Sequence, residues 1–523
     1  ENADLSVNAQ GQLINQKGDI YSCQNASLNS VVLYNTAGQI AAQNQLSIDT
    51  QKQQLSNQNA KIIAKTVDLK TGKLDNQTGL IQAEQSVKID TQQNALINNN
   101  SGSNAGILSQ GSLDIANVSQ LENSSGYIAA IGSANITAQN INNNSGQINS
   151  QADLTLQQQA AGGGIDNVAG QIQAQQNVSL TSDTINNSGV GSHIVAGEKL
   201  TANASKVINA QTKDSTVLSG IDAKNIEINA QELDNQSGVI RASENATLNV
   251  NNQLSNQLGS ISSLNSLNIG TADKTLNLNN TDGELLAKNQ LNLKANELVN
   301  KGKIISEGNV DIDLKQSYTH TQADKIAANG TLKLSTEQDL INQSELSAGQ
   351  KVELNAKNIQ NLTGASISSN ETHLIAQDTV HNQGLINGDL TRIQANRVWN
   401  DGARIYGTHV AIQANTLDNK SNLAGTGAVI ASRGDMDLGI QILNNKSGSV
   451  VKDNGRDNAW IFSAGQLNVG GSLDENLKAQ GNAAQIYNGS AVIESLGDMY
   501  LGAKSIQNIN ENLVINKLVE KSR

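Results

Sequence analysis

The sequence predicts an all-β protein: a right-handed parallel β-helix, or solenoid, of about two dozen rungs with a repeat of about 21 residues. Three observations predict this fold. A segment of the form Leu-x-Asn-x-x-Gly-x-Ile recurs along the chain, apolar and polar residues alternate strictly between its copies, and none of the 523 residues is proline.

The missing proline indicates a backbone that is hydrogen-bonded almost everywhere. Ordinary usage of about 5% would give roughly two dozen prolines in a chain of this length. Proline removes a backbone donor from a sheet, so its absence favours continuous ladders. Aromatic residues make up only 2% of the chain, which predicts a narrow core of Leu, Ile, Val and Ala.

The recurring segment predicts the corners of the rungs. Copies lie at 13–20, 33–40 and 74–81, and Asn and Gly suit tight corners because both tolerate positive φ. Between the copies, alternation such as Leu154-Thr155-Leu156 indicates strands with one buried face. No single repeat can close a core, so the repeats must stack. At a strand spacing of ~4.8 Å, the stack forms a rod of roughly 110 to 120 Å.

The asparagines of the repeat form a candidate structural ladder, in which each side-chain amide bonds to the amides one rung above and below. These residues are Asn15, Asn35, Asn57, Asn76, Asn98, Asn123, Asn143, Asn167, Asn187, Asn209, Asn235 and Asn256, and the series runs on through Asn508. The alternative is a row of ligand or glycan sites, because several lie in Asn-x-Ser/Thr sequons such as Asn76-Gln77-Thr78. The ladder is favoured because a composition rich in Asn, Ser and Thr generates sequons by chance.

The domain organisation follows from this pattern. A continuous β-helix is expected over residues 1–504, and residues 390–504 form compositionally distinct terminal rungs because they contain both Trp, both Met and the one Phe. Residues 505–523 are expected to form an end cap or the start of a linker. Since the first residues lack a signal peptide while the repeat has already begun, we interpret the sequence as part of a longer protein.

Four segments break the register and are expected to be exposed loops, at 98–106, 210–222, 421–427 and 447–458. The last holds a candidate contact loop, although a loop folded over an exposed sheet face would have the same composition. The candidate contact residues are Lys452, Asp453, Arg456, Asp457 and Trp460.

The sequence offers no constellation for catalysis, and we expect no catalytic, cofactor-binding or metal-binding residues and no enzyme activity. A net charge of −12 argues against nucleic acid as a partner, and no apolar run approaches the ~20 residues needed to cross a bilayer. The histidines are dispersed, and His373 and His381 are expected on opposite sides of a turn. Four aspartates share one repeat position in separated rungs and are expected to be solvated: Asp75, Asp166, Asp234 and Asp418.

The repeat and its alternating strand resemble the filamentous haemagglutinin repeat of two-partner secretion exoproteins. The segment Tyr318-Thr319-His320-Thr321 is similar to a mid-stalk element of contact-dependent growth inhibition effectors, and the segments at 404–407, 428–435 and 493–498 resemble the final rungs of that stalk. The resemblance covers essentially the whole chain.

The resemblance implies a rigid extracellular stalk that presents a receptor-binding tip and a toxin to neighbouring bacteria. It further implies export through an outer-membrane transporter, a monomer at the bacterial cell surface, and a receptor contacted by regions outside this chain. The alternative function is that of a filamentous adhesin, which binds host glycans or proteins through its loops.

Overall fold

The fold class is confirmed. The computed structural model describes residues 3–449 and 457–511. Parallel strands form a β-solenoid of about 24 turns with a spacing of about 21 residues. The chain divides into two compact units, Glu1–Lys288 and Asn289–Arg523. Among the described residues the one helical element is a 3₁₀ turn at Gly102–Asn104, and no helix there is long and apolar enough to cross a membrane.

The strands of the first unit range from 2 to 18 residues. They are Leu5–Ile14, Asp19–Ser22, Ala26–Tyr34, Gln39–Ala42, Gln45–Asp49, Leu55–Ser56, Lys61–Lys70, Leu74–Asp75, Leu80–Ile97, Gly106–Ser109, Ser112–Glu122, Tyr127–Ala130, Ala134–Asn142, Gln147–Ser150, Leu154–Gln158, Gly164–Asp166, Gln171–Ala174, Val178–Asn186, His193–Ile208, Gly220–Asp234, Val239–Ser255, Ser260–Ser263, Ser266–Ile269, Asn277–Asn279 and Glu284–Ala287.

The second unit repeats this plan, and its described residues include one antiparallel hairpin, Ser472–Leu473 with Ala479–Gln480. Its other strands are Gln290–Ala295, Glu297–Val299, Lys303–Ser306, Asn309–Leu314, Tyr318–His320, Lys325–Ala328, Thr331–Thr336, Asp339–Asn342, Glu345–Ser347, Lys351–Asn361, Ser366–Ser368, Glu371–Asn382, Leu385–Asp401, Arg404–Lys420, Val429–Ser432, Met436–Lys446, Trp460–Ser463, Leu467–Gly470, Gln485–Gly489, Val492–Ser495, Met499–Leu501 and Ile506–Ile509.

Three columns of aliphatic side chains fill the core of the first unit. Within each column, a residue pairs in register with its equivalent one rung away, as Ile40 pairs with Ile62 and Ile62 with Ile81. Leu46 and Leu55 belong to the strands on the other two faces and are likewise fully buried. Because each strand buries every second residue, the alternation seen in the sequence becomes three apolar stripes that meet at the axis.

The second unit has the same three columns, with one polar exception. Ile367, Ile386 and Ile405 pair in consecutive rungs and are fully buried. At one rung a tyrosine replaces the usual aliphatic residue, because Tyr318 pairs with Leu340 and is 3% exposed. The last described strand, Ile506–Ile509, adds to Gln485–Gly489 in parallel, and all four of its residues are exposed.

The corners differ from expectation in one physical respect. The residue with positive φ is the one before the glycine, as at Ala37 (φ 54°) and Thr78 (φ 55°). The glycine is needed for space instead: a Cβ on Gly38 would lie 2.2 Å from the backbone oxygen of Asn15, and a Cβ on Gly79 would lie 2.0 Å from that of Asn57. The prediction that Asn and Gly supply the positive φ is therefore wrong at these two corners, where close stacking of the rungs explains the glycine, but it holds at others such as Gly364 (φ 83°).

The inward assignment can be tested with two neighbouring residues of one strand. Leu156 is fully buried, whereas Thr155 is only half-buried and points outward. We expect Leu156→Asp to lower the free energy of unfolding by several kcal/mol, on the order of 3 to 5, because it buries an unpaired carboxylate. Denaturant titration followed by circular dichroism measures this. Thr155→Asp is the matched control, and equal losses in the two variants would refute the inward assignment.

Candidate functional site

A column of side-chain amides runs through the first unit. The Nδ2 of each repeat asparagine donates a hydrogen bond to the Oδ1 of the asparagine in the next rung, at 2.7 or 2.8 Å. The bonded series is Asn15, Asn35, Asn57, Asn76, Asn98, Asn123, Asn143, Asn167, Asn187, Asn209, Asn235, Asn256 and Asn280.

Each amide in the column also bonds to the backbone of a corner. The Nδ2 of Asn35 donates to the carbonyl of Lys61 at 3.1 Å, and that of Asn143 donates to Gln171 at 3.0 Å. An equivalent column in the second unit, with contacts of 2.7 to 2.9 Å, consists of Asn342, Asn361, Asn382, Asn400, Asn419, Asn445, Asn488 and Asn508.

The column asparagines have few free hydrogen-bonding groups and little exposed surface to offer a ligand or a glycan. Asn76 lies in a sequon, yet it is fully buried and its Nδ2 donates to the Oδ1 of Asn98. The sequon asparagine Asn25, by contrast, is exposed and stands outside the column. A buried amide costs free energy unless it is hydrogen-bonded. We therefore propose that the column fixes the register of the rungs.

One rung replaces the column asparagine with a histidine. His320 pairs with Asn342 in the next rung and is 1% exposed. Its Nε2 lies 3.0 Å from the carbonyl of Glu345, an interaction of the kind that the asparagines make with a corner. Its Nδ1 is buried without a hydrogen-bond partner and lies 3.7 Å from the Oδ2 of Asp324, too far for a hydrogen bond.

The surroundings of His320 disfavour charge. Burial lowers the pKa of His320 below its ordinary 6.5, and burial raises the pKa of Asp324 above its ordinary 3.8. The Tyr318 hydroxyl lies 3.3 Å from the Oδ2 of Asp324, and burial raises the pKa of Tyr318. The segment singled out in the sequence as a mid-stalk element is thus a buried titratable cluster inside an otherwise neutral column.

The structure covers the candidate contact loop only in part. Lys452, Asp453 and Arg456 lie outside the described residues. Asp457 is exposed. Trp460 is not in the loop but begins the strand Trp460–Ser463; it is 39% exposed, and its ring centroid lies 5.4 Å from that of Phe462.

The expectation for the repeat-position aspartates is wrong at two of them. Asp75 and Asp418 are 7% and 2% exposed rather than solvated. The carboxylate of Asp418 lies 2.6 Å from Arg397 and from Lys420. Burial alone would raise the pKa of Asp418, but hydrogen bonds from Lys420, Asn444 and Arg397 outweigh it and lower the pKa.

The histidines do not come together. His373 and His381 lie in one continuous strand, Glu371–Asn382, so their expected separation by a turn is wrong. The ring of His381 stacks on Trp399 with a centroid distance of 4.0 Å. Within residues 3–449 and 457–511 there is no group of three or more His, Cys, Asp or Glu that could hold a metal ion.

Sequence reasoning missed a second polar cluster, which fastens the hairpin to the solenoid. Asp437 is fully buried, and its carboxylate accepts hydrogen bonds from the backbone of Ala479 at 3.0 Å and from Lys478 at 3.3 Å, with His409 Nε2 at 2.9 Å. Burial alone would raise the pKa of Asp437, yet these bonds and one from Asn468 lower it to about 2. The adjacent glycines Gly470-Gly471 were the available signal that the chain leaves the solenoid here.

The role of the amide column can be tested with Asn143→Ala. The variant removes bonds to Asn167 and Gln171 and takes from the Nδ2 of Asn123 its side-chain acceptor, which leaves it only backbone carbonyls. We expect the free energy of unfolding to fall by about 1 to 3 kcal/mol, measured by denaturant titration. Asn135→Ala is the control, because Asn135 is exposed on the strand Ala134–Asn142, which ends directly before Asn143. A loss no larger than that of the control would contradict a structural role for the column.

The histidine rung predicts a pH dependence. Because the pKa of His320 is lowered on folding, the unfolded chain binds the proton more readily, and stability falls as the pH drops through 6.5 toward the lower folded value. The raised pKa of Asp324 acts in the opposite direction at lower pH. We expect His320→Asn to remove the first effect, so the wild type should lose stability relative to this variant between about pH 7.5 and 5.5. The measurement is the thermal melting temperature of both proteins as a function of pH. If the two curves stay parallel between about pH 7.5 and 5.5, His320 is not the source of the pH dependence.

Comparison with known proteins finds relatives of this chain. The chain is 25% identical over 357 residues to the tRNA nuclease CdiA of Yersinia mollaretii, covering 68% of this chain and 11% of that protein. It is 22% identical over 376 residues to the deoxyribonuclease CdiA of Dickeya dadantii, covering 68% of this chain and 10% of that protein. No family model and no solved structure matches the chain.

The chain thus spans about a tenth of the length of these curated relatives. The similarity covers about two thirds of the chain. The resemblance inferred from the repeats is confirmed: in sequence and in fold, the chain is similar to the filamentous-haemagglutinin-like stalk of contact-dependent inhibition effectors.

Proposed function

We propose that this chain is a rigid β-helical stalk of a secreted cell-surface effector, which carries a receptor-binding tip and a toxin to neighbouring bacteria. The observation that supports the proposal is that two findings hold for the same chain. The chain is similar over 68% of its length to contact-dependent inhibition effectors, and each of its units is a parallel stack with in-register apolar columns.

The rung architecture supports a mechanical role. Bending a stack of rungs strains the backbone hydrogen bonds between rungs and separates the close-packed side chains of the core. Here the amide column adds a second set of bonds parallel to the backbone ladder, as between Asn123 and Asn143 at 2.7 Å. Stiffness therefore follows from bonds that recur at every regular rung.

The same architecture suits export of the chain in an unfolded state. Each rung contacts only its neighbours, so a chain that emerges progressively can fold rung by rung. Cys23 is the one cysteine and is exposed, so folding depends on no disulfide. We propose an outer-membrane two-partner secretion transporter as the export partner and a monomeric stalk on the bacterial cell surface.

The proposal assigns recognition and toxicity to regions outside this chain. The relatives are named as a tRNA nuclease and a deoxyribonuclease, and this chain matches 11% and 10% of their lengths. We propose that any such nuclease activity, and contact with the receptor, belong to other regions of the longer protein.

A stalk tolerates loss of whole rungs, whereas a recognition surface does not. Deleting residues 123–166 joins Glu122 to Asn167, which restores the Leu-x-Asn-x-x-Gly-x-Ile pattern and places Asn167 against Asn98. In the full-length protein, we expect this deletion to preserve surface display and growth inhibition of susceptible cells in co-culture. Antibody staining of intact cells and survival of the target strain measure the two outcomes.

Deleting residues 123–156 is the matched control, because it joins Glu122 to Gln157 and leaves a partial rung. We expect it to abolish surface display by breaking the register of the apolar columns. Loss of inhibition by the in-register deletion at normal surface level would overturn the spacer role. It would favour the adhesin alternative, which a deletion of residues 447–458 would then probe directly.

A further inference from the structure

A groove follows the second unit across several rungs. It encloses about 690 Å³, and its floor is a column of alanines, one from each of four consecutive rungs: Ala356, Ala376, Ala395 and Ala414. Each of these alanines is no more than 9% exposed. Their small side chains leave a depression where larger residues would fill the surface.

Amide side chains flank this floor. Gln394 and Asn396 lie on either side of Ala395 in the sequence, and Gln413 and Asn415 repeat the arrangement one rung later. Gln394, Asn396 and Asn415 are exposed. Although the chain has a net charge of −12, the described residues that line the groove carry no charge. The groove therefore offers paired donors and acceptors to a neutral ligand.

One end of the groove is already occupied by the chain's own backbone. The Nε2 of Gln441 donates to the carbonyl of Gly471 at 2.8 Å, and the N–H of Leu473 donates to the Oε1 of Gln413 at 2.5 Å. A Cβ on Gly439 would lie 2.4 Å from the carbonyl carbon of Ser472, so this glycine permits the backbone to lie against the sheet. The two hydrogen bonds show how amide side chains hold an extended peptide.

The path of this segment leads into the open part of the groove. Gly471 is bonded to one rung and Leu473 to the preceding rung, so the segment crosses the strands toward Gln394, which pairs with Gln413. With rungs ~4.8 Å apart and ~3.3 Å per extended residue, the open rungs accommodate about five residues.

We propose that the open groove binds an extended, uncharged polypeptide segment of a partner protein, which continues the path of Gly471 to Leu473 along the solenoid. The amides of Gln394, Asn396 and Asn415 bond to its backbone, and the alanine floor admits small side chains. A neutral oligosaccharide is the less favoured ligand, because within the described lining there is no aromatic ring on which a sugar could stack.

A thiol-protection experiment tests this site on the 523-residue chain. Cys23→Ser removes the native thiol, and Gln377→Cys places a reporter in the groove, because Gln377 lines the groove, is exposed and is not one of the amides proposed to bind the peptide. The probe is an acetylated and amidated peptide with two copies of Gly-Gly-Ser-Leu, the sequence of residues 470–473. We expect the peptide to slow maleimide labelling of the reporter in a concentration-dependent way and to leave Asn135→Cys, an exposed reporter in the first unit, unaffected.

Adding Gln394→Ala should raise the peptide concentration needed for half-protection by about tenfold, whereas Gln360→Ala, on another part of the same unit, should not change it. Circular dichroism verifies that each variant folds. Unchanged labelling of the Gln377→Cys reporter up to the solubility limit of the peptide would overturn the proposal. So would protection by maltohexaose without protection by the peptide, which would assign the groove to a glycan.

Discussion

Every regular rung of this protein has to bury one side-chain amide, and the structure depends on how those amides are bonded. A buried amide is tolerated only when its donors and acceptor are paired. Here the partner of each amide is the same residue type one rung away, as between Asn57 and Asn76 at 2.7 Å. We propose that this requirement fixes the register of one repeat against the next and holds the rungs close together, so the facing corner position takes a small residue, usually glycine and in one rung Ala60.

Much of the fold could be predicted because its causes are local and periodic. Alternation identified the strands, and the spacing of the asparagines identified the members of the column. The reason for the corner glycines could not be read from the sequence, because the atom that excludes a Cβ on Gly38 belongs to Asn15 in the preceding rung. The burial of Asp418 was missed for a similar reason, since its partner Arg397 comes from an adjacent rung.

The polar and titratable groups that distinguish one rung from another lie where the repeat is broken. Two such breaks are in the second unit, where His320 replaces a column asparagine and a hairpin is fastened through Asp437. Neither could be predicted as a site, because one replaces a single residue in a repeat and the other depends on contacts across 42 positions of sequence, from Asp437 to Ala479. The surface that the hairpin borders is also the one that offers neutral amides to a peptide.

The amide column has a direction. In every bonded pair of the column, the asparagine nearer the amino terminus is the donor and its successor is the acceptor, as in Asn35 to Asn57 and Asn400 to Asn419. The side-chain dipoles therefore add head to tail, and such chains of hydrogen bonds polarise one another. A partly assembled stack always ends in an unused donor that faces the rung still to come. A stack that grows from the amino terminus therefore presents an amide donor to each incoming rung, whereas one that grows from the carboxyl terminus presents an amide acceptor.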